Sequence, residues 1–299
     1  MLSFQHGTIT TQGDAPSNFS ASNPNSLLYG AISSSGFVTV IPDYLGFGTS
    51  SSIVHPYYVE ELTSSAVIDM VRAALELAQE KDTQFNKKLF LAGYSEGGYA
   101  TMAAHKAMEE NDVDGVELIA SFAAAGAYDI KGMQEYLFSL ETYDDPYYLA
   151  YLTRAYQLTY DYSSLLTDFF KDPYPERIPS LFDGQKAADE IDAQLTNTLA
   201  DLIQENLSDN IDSDPAYSYI VDALHENSLT DWAPETKMFM YHGESDTTVP
   251  YQNSLTTYDA LLSNGASPSV LSLIPLEGDH NSAITPYILD FVPKLWALR

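Results

Sequence analysis

The chain has 299 residues and a formal net charge of −29, from 42 Asp and Glu against 13 Lys and Arg. Charge of that sign argues against electrostatic binding to nucleic acid or to an anionic bilayer, and the lack of cysteine excludes disulfides and thiolate metal sites. With 45% hydrophobic and 12% aromatic residues the composition is that of a globular protein, and no stretch approaches the length of a transmembrane helix.

Leu2 to Gln5 alternates into His6-Gly7-Thr8 and reads as an interior strand, with no charged n-region or apolar h-region of a signal peptide before it. Further upstream sequence is therefore expected. A polar loop to about Asn25 leads to a predicted helix over Ser26 to Ser34, and Phe37 to Pro42 is a β-branched strand. Asp43 to Gly48 is a glycine-punctuated loop. From Tyr58 to Glu80, apolar residues at Val67, Ile68, Met70, Val71, Ala74, Leu75 and Ala78 have the spacing of a long helix packed on a sheet.

Leu89-Phe90-Leu91 is too short for a helix and reads as a buried strand of a parallel sheet. Gly93-Tyr94-Ser95-Glu96-Gly97-Gly98 follows, and alanine-rich helical spacing resumes from Tyr99 to Met108. Strand, G-x-S-x-G, helix is the pattern of a nucleophile elbow, in which glycines flank a serine on a tight turn. The pentapeptide alone is a weak signal, and its context strengthens it. A further strand is expected from Val116 to Ser121, ending in small residues at Ala123 to Gly126.

Residues 1–126 are thus expected to form the first part of an α/β core, with a mostly parallel, right-handed sheet. The strand–helix rhythm resumes over residues 233–299, with strands at Lys237 to Tyr241 and Val270 to Ile274 and helices at Asn253 to Ser263 and Ile284 to Leu298. Residues 127–232 break it. Helical patterns dominate there, which suggests an inserted cap, with five Lys and Arg against twenty-one Asp and Glu. Its many aromatics, among them Tyr136, Tyr143, Tyr148, Tyr151, Tyr156 and Phe169, either pack a small core of their own or line a pocket. Asp209, Asp212 and Asp214 lack the glycine and terminal glutamate of a calcium loop and read as a solvated turn.

A serine hydroxyl needs a histidine base, itself oriented by a carboxylate. Behind an elbow the chain order is serine, acid, histidine. His280, in the loop Leu276 to Asn281 between the last strand and the last helix, stands where the base belongs. His242 directly follows a strand and reads as a supporting residue, and His225 as a surface one. Asp246 in His242-Gly243-Glu244-Ser245-Asp246 is the expected acid, with Glu244 and Asp279 as competitors. Asp43 precedes the serine and is in the wrong order. Backbone N–H groups of Glu96 and of Gly7 or Thr8 are the expected oxyanion donors.

Together these motifs resemble the α/β-hydrolase superfamily, and within it the secretory lipase family of bacteria and fungi, which are capped serine esterases and lipases. The matching pieces are QHGT at Gln5 to Thr8, PDYLGFG at Pro42 to Gly48, HPY at His55 to Tyr57, GYSEGG at Gly93 to Gly98, HGESDTTVP at His242 to Pro250 and GDH at Gly278 to His280. The resemblance implies an α/β-hydrolase fold and Ser95, Asp246 and His280 as nucleophile, acid and base. It further implies hydrolysis of small-molecule esters without cofactor or metal, in a secreted or periplasmic setting. The modest insertion and the acidic surface favour short-to-medium acyl chains. Two alternatives stay open: a serine peptidase of the prolyl-oligopeptidase type, which shares elbow and chain order, and a non-catalytic α/β-hydrolase acting as a binding module.

Overall fold

Leu89 and Leu91 face one way from their strand and Phe90 and Ala92 the other, as the two-residue period of a strand requires. All four are buried, so the strand is sandwiched between two apolar layers. Leu89 and Leu91 join Val67, Val71, Ala100 and Ala104 on one face. Phe90 and Ala92 join Tyr29, Ile32, Tyr287 and Phe291 on the other. Each fully buried Leu, Val, Ile or Phe among them contributes roughly 1.5–3 kcal/mol.

The computed structural model describes residues 1–20 and 24–299, so part of the expected polar loop lies outside the described residues. Among these, six strands form one sheet: β1 Leu2–Gln5, β2 Thr39–Val40, β3 Lys88–Tyr94, β4 Glu117–Ala124, β5 Lys237–Gly243 and β6 Leu271–Leu276. Their order is β2-β1-β3-β4-β5-β6, and every pairing is parallel. Helices α1 Pro24–Ser33, α2 Glu60–Glu80 and α3 Glu96–Glu110 connect the first four strands. On α2 the buried residues include Val67, Ile68, Val71, Ala74 and Ala78, the stripe that the spacing predicts, and Glu60 and Glu61 occupy the first turn, where the helix dipole favours acids.

Between β4 and β5 lie α4 Ile130–Phe138, α5 Tyr147–Thr159, α6 Leu165–Phe169, α7 Tyr174–Arg177, α8 Ala188–Asp192, α9 Leu199–Leu202, α10 Glu205–Asn210 and α11 Ser218–Glu226. The helices α12 Tyr251–Ser263 and α13 Ile284–Leu298 complete the chain. The Tyr287 hydroxyl on α13 accepts from the Gly93 N–H at 3.1 Å and donates to the Phe122 carbonyl at 2.7 Å, which ties β3 to β4.

Several boundaries differ from the sequence reading. The strand expected from Phe37 to Pro42 shrinks to Thr39–Val40, because β2 is an edge that pairs with β1 alone and Pro42 has no N–H to extend the ladder. Helix α2 starts at Glu60, since Tyr58 has a φ of 53° and cannot join a right-handed helix. Helix α3 starts at Glu96, directly after the serine and three residues earlier than expected.

The tyrosines between β4 and β5 do more than pack a local core. Tyr143 donates to the Thr248 carbonyl at 3.1 Å and Tyr156 to the Tyr58 carbonyl at 3.2 Å, bonding this helical segment to the sheet's loops. Tyr151 is stacked between Tyr57 and Phe182 at 4.6 and 4.5 Å. Asp212 pairs with Lys131 at 3.1 Å, and Asp214 accepts from the Ala216 N–H.

Candidate active site

Ser95 sits between β3 and α3 with φ 61° and ψ −126°, a strained conformation for a residue with a side chain. The serine itself therefore carries the positive φ. The flanking glycines are needed for close approach: a Cβ on Gly97 would lie 2.1 Å from the Gln5 carbonyl oxygen, and one on Gly93 would lie 2.2 Å from that of Gly97. The turn is held from below by Ser95 N–H donating to the Ala124 carbonyl at 2.8 Å.

The structure brings the three side chains of the expected triad together. His280 Nε2 lies 2.9 Å from Ser95 Oγ, and His280 Nδ1 lies 2.6 Å from Asp246 Oδ2. A carboxylate only accepts, so Nδ1 carries the hydrogen and Nε2 is left to accept from the serine. Asp246 is 5% exposed and fully bonded. Its Oδ1 accepts from the N–H groups of Thr248 and Val249 at 3.0 and 2.9 Å, and its Oδ2 also receives His242 Nε2 at 3.2 Å. Burial pushes its carboxyl upward, but the bonds from His242 and His280 outweigh this and hold it at about 2. The His280 backbone is fixed as well, because Tyr94 donates its hydroxyl to the His280 carbonyl at 2.7 Å.

The other candidates have different surroundings. Asp279 is exposed and accepts from Asn281 and Ser282. Glu244 is exposed, as is His225. His242 is buried between Ser254 Oγ and the Val249 carbonyl and braces Asp246. Asp43 accepts from the Ser17 N–H.

For the oxyanion donors, Glu96 is the first residue of α3, so its N–H has no acceptor within the helix. The backbone at Gly7 passes so close that a Cβ there would touch Ser95 Cβ at 3.6 Å. The Thr8 hydroxyl is engaged with that of Tyr57 at 2.8 Å. His6 makes local contacts with the carbonyls of Gly7 and Asp43.

One device at the elbow escaped the sequence. The Glu96 carboxylate, 2% exposed, meets His55 Nε2 at 2.6 Å, and His55 Nδ1 bonds the Leu45 carbonyl at 2.7 Å. A carbonyl only accepts, so Nδ1 carries a hydrogen, and one proton lies between ring and carboxylate. This pair pins the PDYLGFG and HPY loops to the start of α3. No pattern links residues 41 positions apart, although both motifs were visible.

Two cavities meet at Ser95. One is a narrow slot of about 70 Å³ between α4 and the residues Tyr57, Tyr58, Thr248 and Val249, and its lining is almost entirely apolar. The other, of about 240 Å³, is lined by Gly7, Thr8, Ile9, Tyr29, His280 and Asn281. No charged side chain lines the first. Among the described residues no group of His, Asp or Glu is disposed to hold a metal, and no helix is long and apolar enough to cross a membrane.

Residues 16–136 match the secretory lipase family. The fold is shared with a Legionella pneumophila protein at 28% identity and a TM-score of 0.89, over 100% of this chain and 79% of that one. It is shared also with the rice cell wall degrading esterase LipA from Xanthomonas oryzae, at 25% identity and 0.81, over 100% and 80%. The chain is an α/β-hydrolase resembling the secretory lipases. Candida antarctica lipase A in its closed state has the same fold at 16% identity and a TM-score of 0.72, over 98% of this chain and 68% of that one. No curated protein sequence matches significantly. The matched family and the LipA neighbour are both of the esterase and lipase group.

Proposed function

We propose that the protein is a serine carboxylic-ester hydrolase that works through an acyl-enzyme, with Ser95 as nucleophile, His280 as base and Asp246 as acid. The observation that carries this reading is the continuous relay from Ser95 Oγ through His280 to Asp246, at 2.9 and 2.6 Å, where two cavities meet.

As Ser95 Oγ bonds to the ester carbonyl carbon, His280 Nε2 takes its proton, and Asp246 stabilises the imidazolium. The N–H groups of Glu96 and of Gly7 or Thr8 receive the negative carbonyl oxygen. When the C–O bond to the alcohol breaks, His280 returns its proton to the departing oxygen. Water then repeats the sequence on the acyl-enzyme and frees the acid and Ser95. Losing one oxyanion donor costs about 10²–10³ in kcat in comparable sites.

The direction of proton return assigns the cavities. The alcohol leaves beside His280 and therefore occupies the wider space that His280 lines, while the acyl chain enters the apolar slot. On this reading the helices between β4 and β5 form a cap that builds the acyl site, and the narrow slot supports short-to-medium, unbranched acyl groups. The resemblance to secretory lipases supports an exported enzyme.

Ser95→Ala is expected to abolish hydrolysis of p-nitrophenyl butyrate and labelling by a fluorophosphonate while the far-ultraviolet circular dichroism is unchanged. Retained turnover in the variant, or a prolyl anilide cleaved faster than the ester by the wild type, overturns the proposal.

A further inference from the structure

The slot beside Ser95 contains one group that does not belong in a purely apolar acyl site. Ile130, Met133, Gln134 and Leu137 lie at helical spacing on one face of α4, and all four line the slot. Three are apolar. Gln134 is only 6% exposed, and its Oε1 is buried with no hydrogen-bond partner. Among the described residues it carries the slot's one unanswered buried side-chain polar atom. The other polar side chains there have partners: Tyr143 with the Thr248 carbonyl, Tyr57 with Thr8, Ser95 with His280, Thr248 with Asp145, Tyr58 with the Ala127 backbone and Tyr148 with Tyr147.

An orphaned amide in an apolar wall is costly and calls for a partner. A ligand that fills the slot can supply that partner, displacing any water there. A charged group is excluded, since the lining holds no charge to receive it. A hydroxyl fits best: it both donates and accepts, so it satisfies a carboxamide in either orientation, whereas a keto oxygen only accepts. Gln134 and Ser95 are separate parts of the slot's lining, so the hydroxyl would sit along the acyl chain and not at the ester itself.

We propose that Gln134 is a specificity-determining residue that selects esters whose acyl chain carries a hydroxyl partway along its length. The inference rests on the ester-hydrolase reading and deepens it by naming the acyl class. It is tested with p-nitrophenyl decanoate and a series of hydroxydecanoates in which the hydroxyl moves one carbon at a time. The wild type is compared with Gln134→Met, which keeps the volume and removes the amide, and with Gln134→Leu in case the first variant is poorly folded.

The expected result is a kcat/KM for one hydroxyl position raised about tenfold, relative to its neighbours, in the wild type. In both variants that peak flattens to the level of its neighbours. Position profiles that coincide in wild type and variants, with p-nitrophenyl acetate still hydrolysed, overturn the role of Gln134 alone. Absence of Ser95-dependent turnover of every ester, acetate included, overturns the ester-hydrolase reading and this inference with it.

Discussion

Asp246 at the sheet edge and Asp192 in the helical segment are both carboxylates partly withdrawn from water, and their surroundings drive them in opposite directions. Burial pushes both upward. At Asp246 bonds from His242 and His280 reverse this and leave it at about 2. At Asp192 the Tyr147 N–H is the sole countering bond, Asp145 and Asp189 add repulsion, and it is raised to about 6. The same division runs through the uncharged groups: the polar atoms around Asp246 are paired, while the slot under α4 is apolar and leaves Gln134 unanswered. Around Asp246 charge is held in fixed positions by paired donors, whereas the slot under α4 is bounded almost entirely by apolar surface.

The largest effect should come from disturbing the charge at the edge. Asp246→Asn presents an amide N–H or a neutral oxygen to His280 and is expected to lower kcat about 10⁴-fold on p-nitrophenyl butyrate with the fold intact. A loss below tenfold would mean that Asp246 has no more catalytic weight than a residue of the slot.

Stability offers a second contrast. His55→Leu strands the Glu96 carboxylate in the interior and is expected to cost about 3–5 kcal/mol in chemical denaturation. Gln134→Met removes a polar atom that has no partner, and should be neutral or stabilising. If the two variants unfold at the same denaturant concentration, edge and slot do not differ in this way.

The smallest effect is a matter of pH. A depressed carboxylate such as Asp246 contributes stability that is present above the unfolded value near 4 and is lost as pH falls toward 2. Asp192 has the opposite sign: the folded protein is favoured below about pH 4, and that advantage disappears as pH rises through about 6. Asp192→Asn keeps an acceptor for the Tyr147 N–H. It should therefore stabilise the protein at pH 8 by on the order of 1 kcal/mol, discounted for partial solvent exposure, and leave it unchanged at pH 4. Thermal unfolding of both proteins at the two pH values measures this, and an equal difference at both would refute it.

What could be read from the sequence follows the same boundary. The strand–turn–helix around Ser95 and the loops holding Asp246 and His280 were legible because each function lies in a short stretch whose residue types the local chemistry demands. The helix of residues 284–298 was legible from its apolar spacing. Distant pairings were not: His55 and Glu96 meet across 41 positions, and Tyr143 reaches Thr248 across 105. Gln134 did leave a trace, as the one amide at a spacing otherwise filled by Ile130, Met133 and Leu137. Without knowing that this face of α4 lines the slot beside Ser95, nothing in the sequence distinguishes it from an ordinary polar position. The shortness of β2 was hidden because propensity does not tell an edge strand from a central one.

The Tyr287 hydroxyl, which clasps Gly93 and Phe122, sets an order of events. In a chain synthesised from its N-terminus, the serine turn emerges about two-thirds of the chain ahead of α13. Until that helix docks, β3 and β4 lack their shared clasp, and Tyr94, which holds the His280 carbonyl, lacks the Tyr287 ring it packs against. A nascent or clipped polypeptide would thus display the serine without its relay.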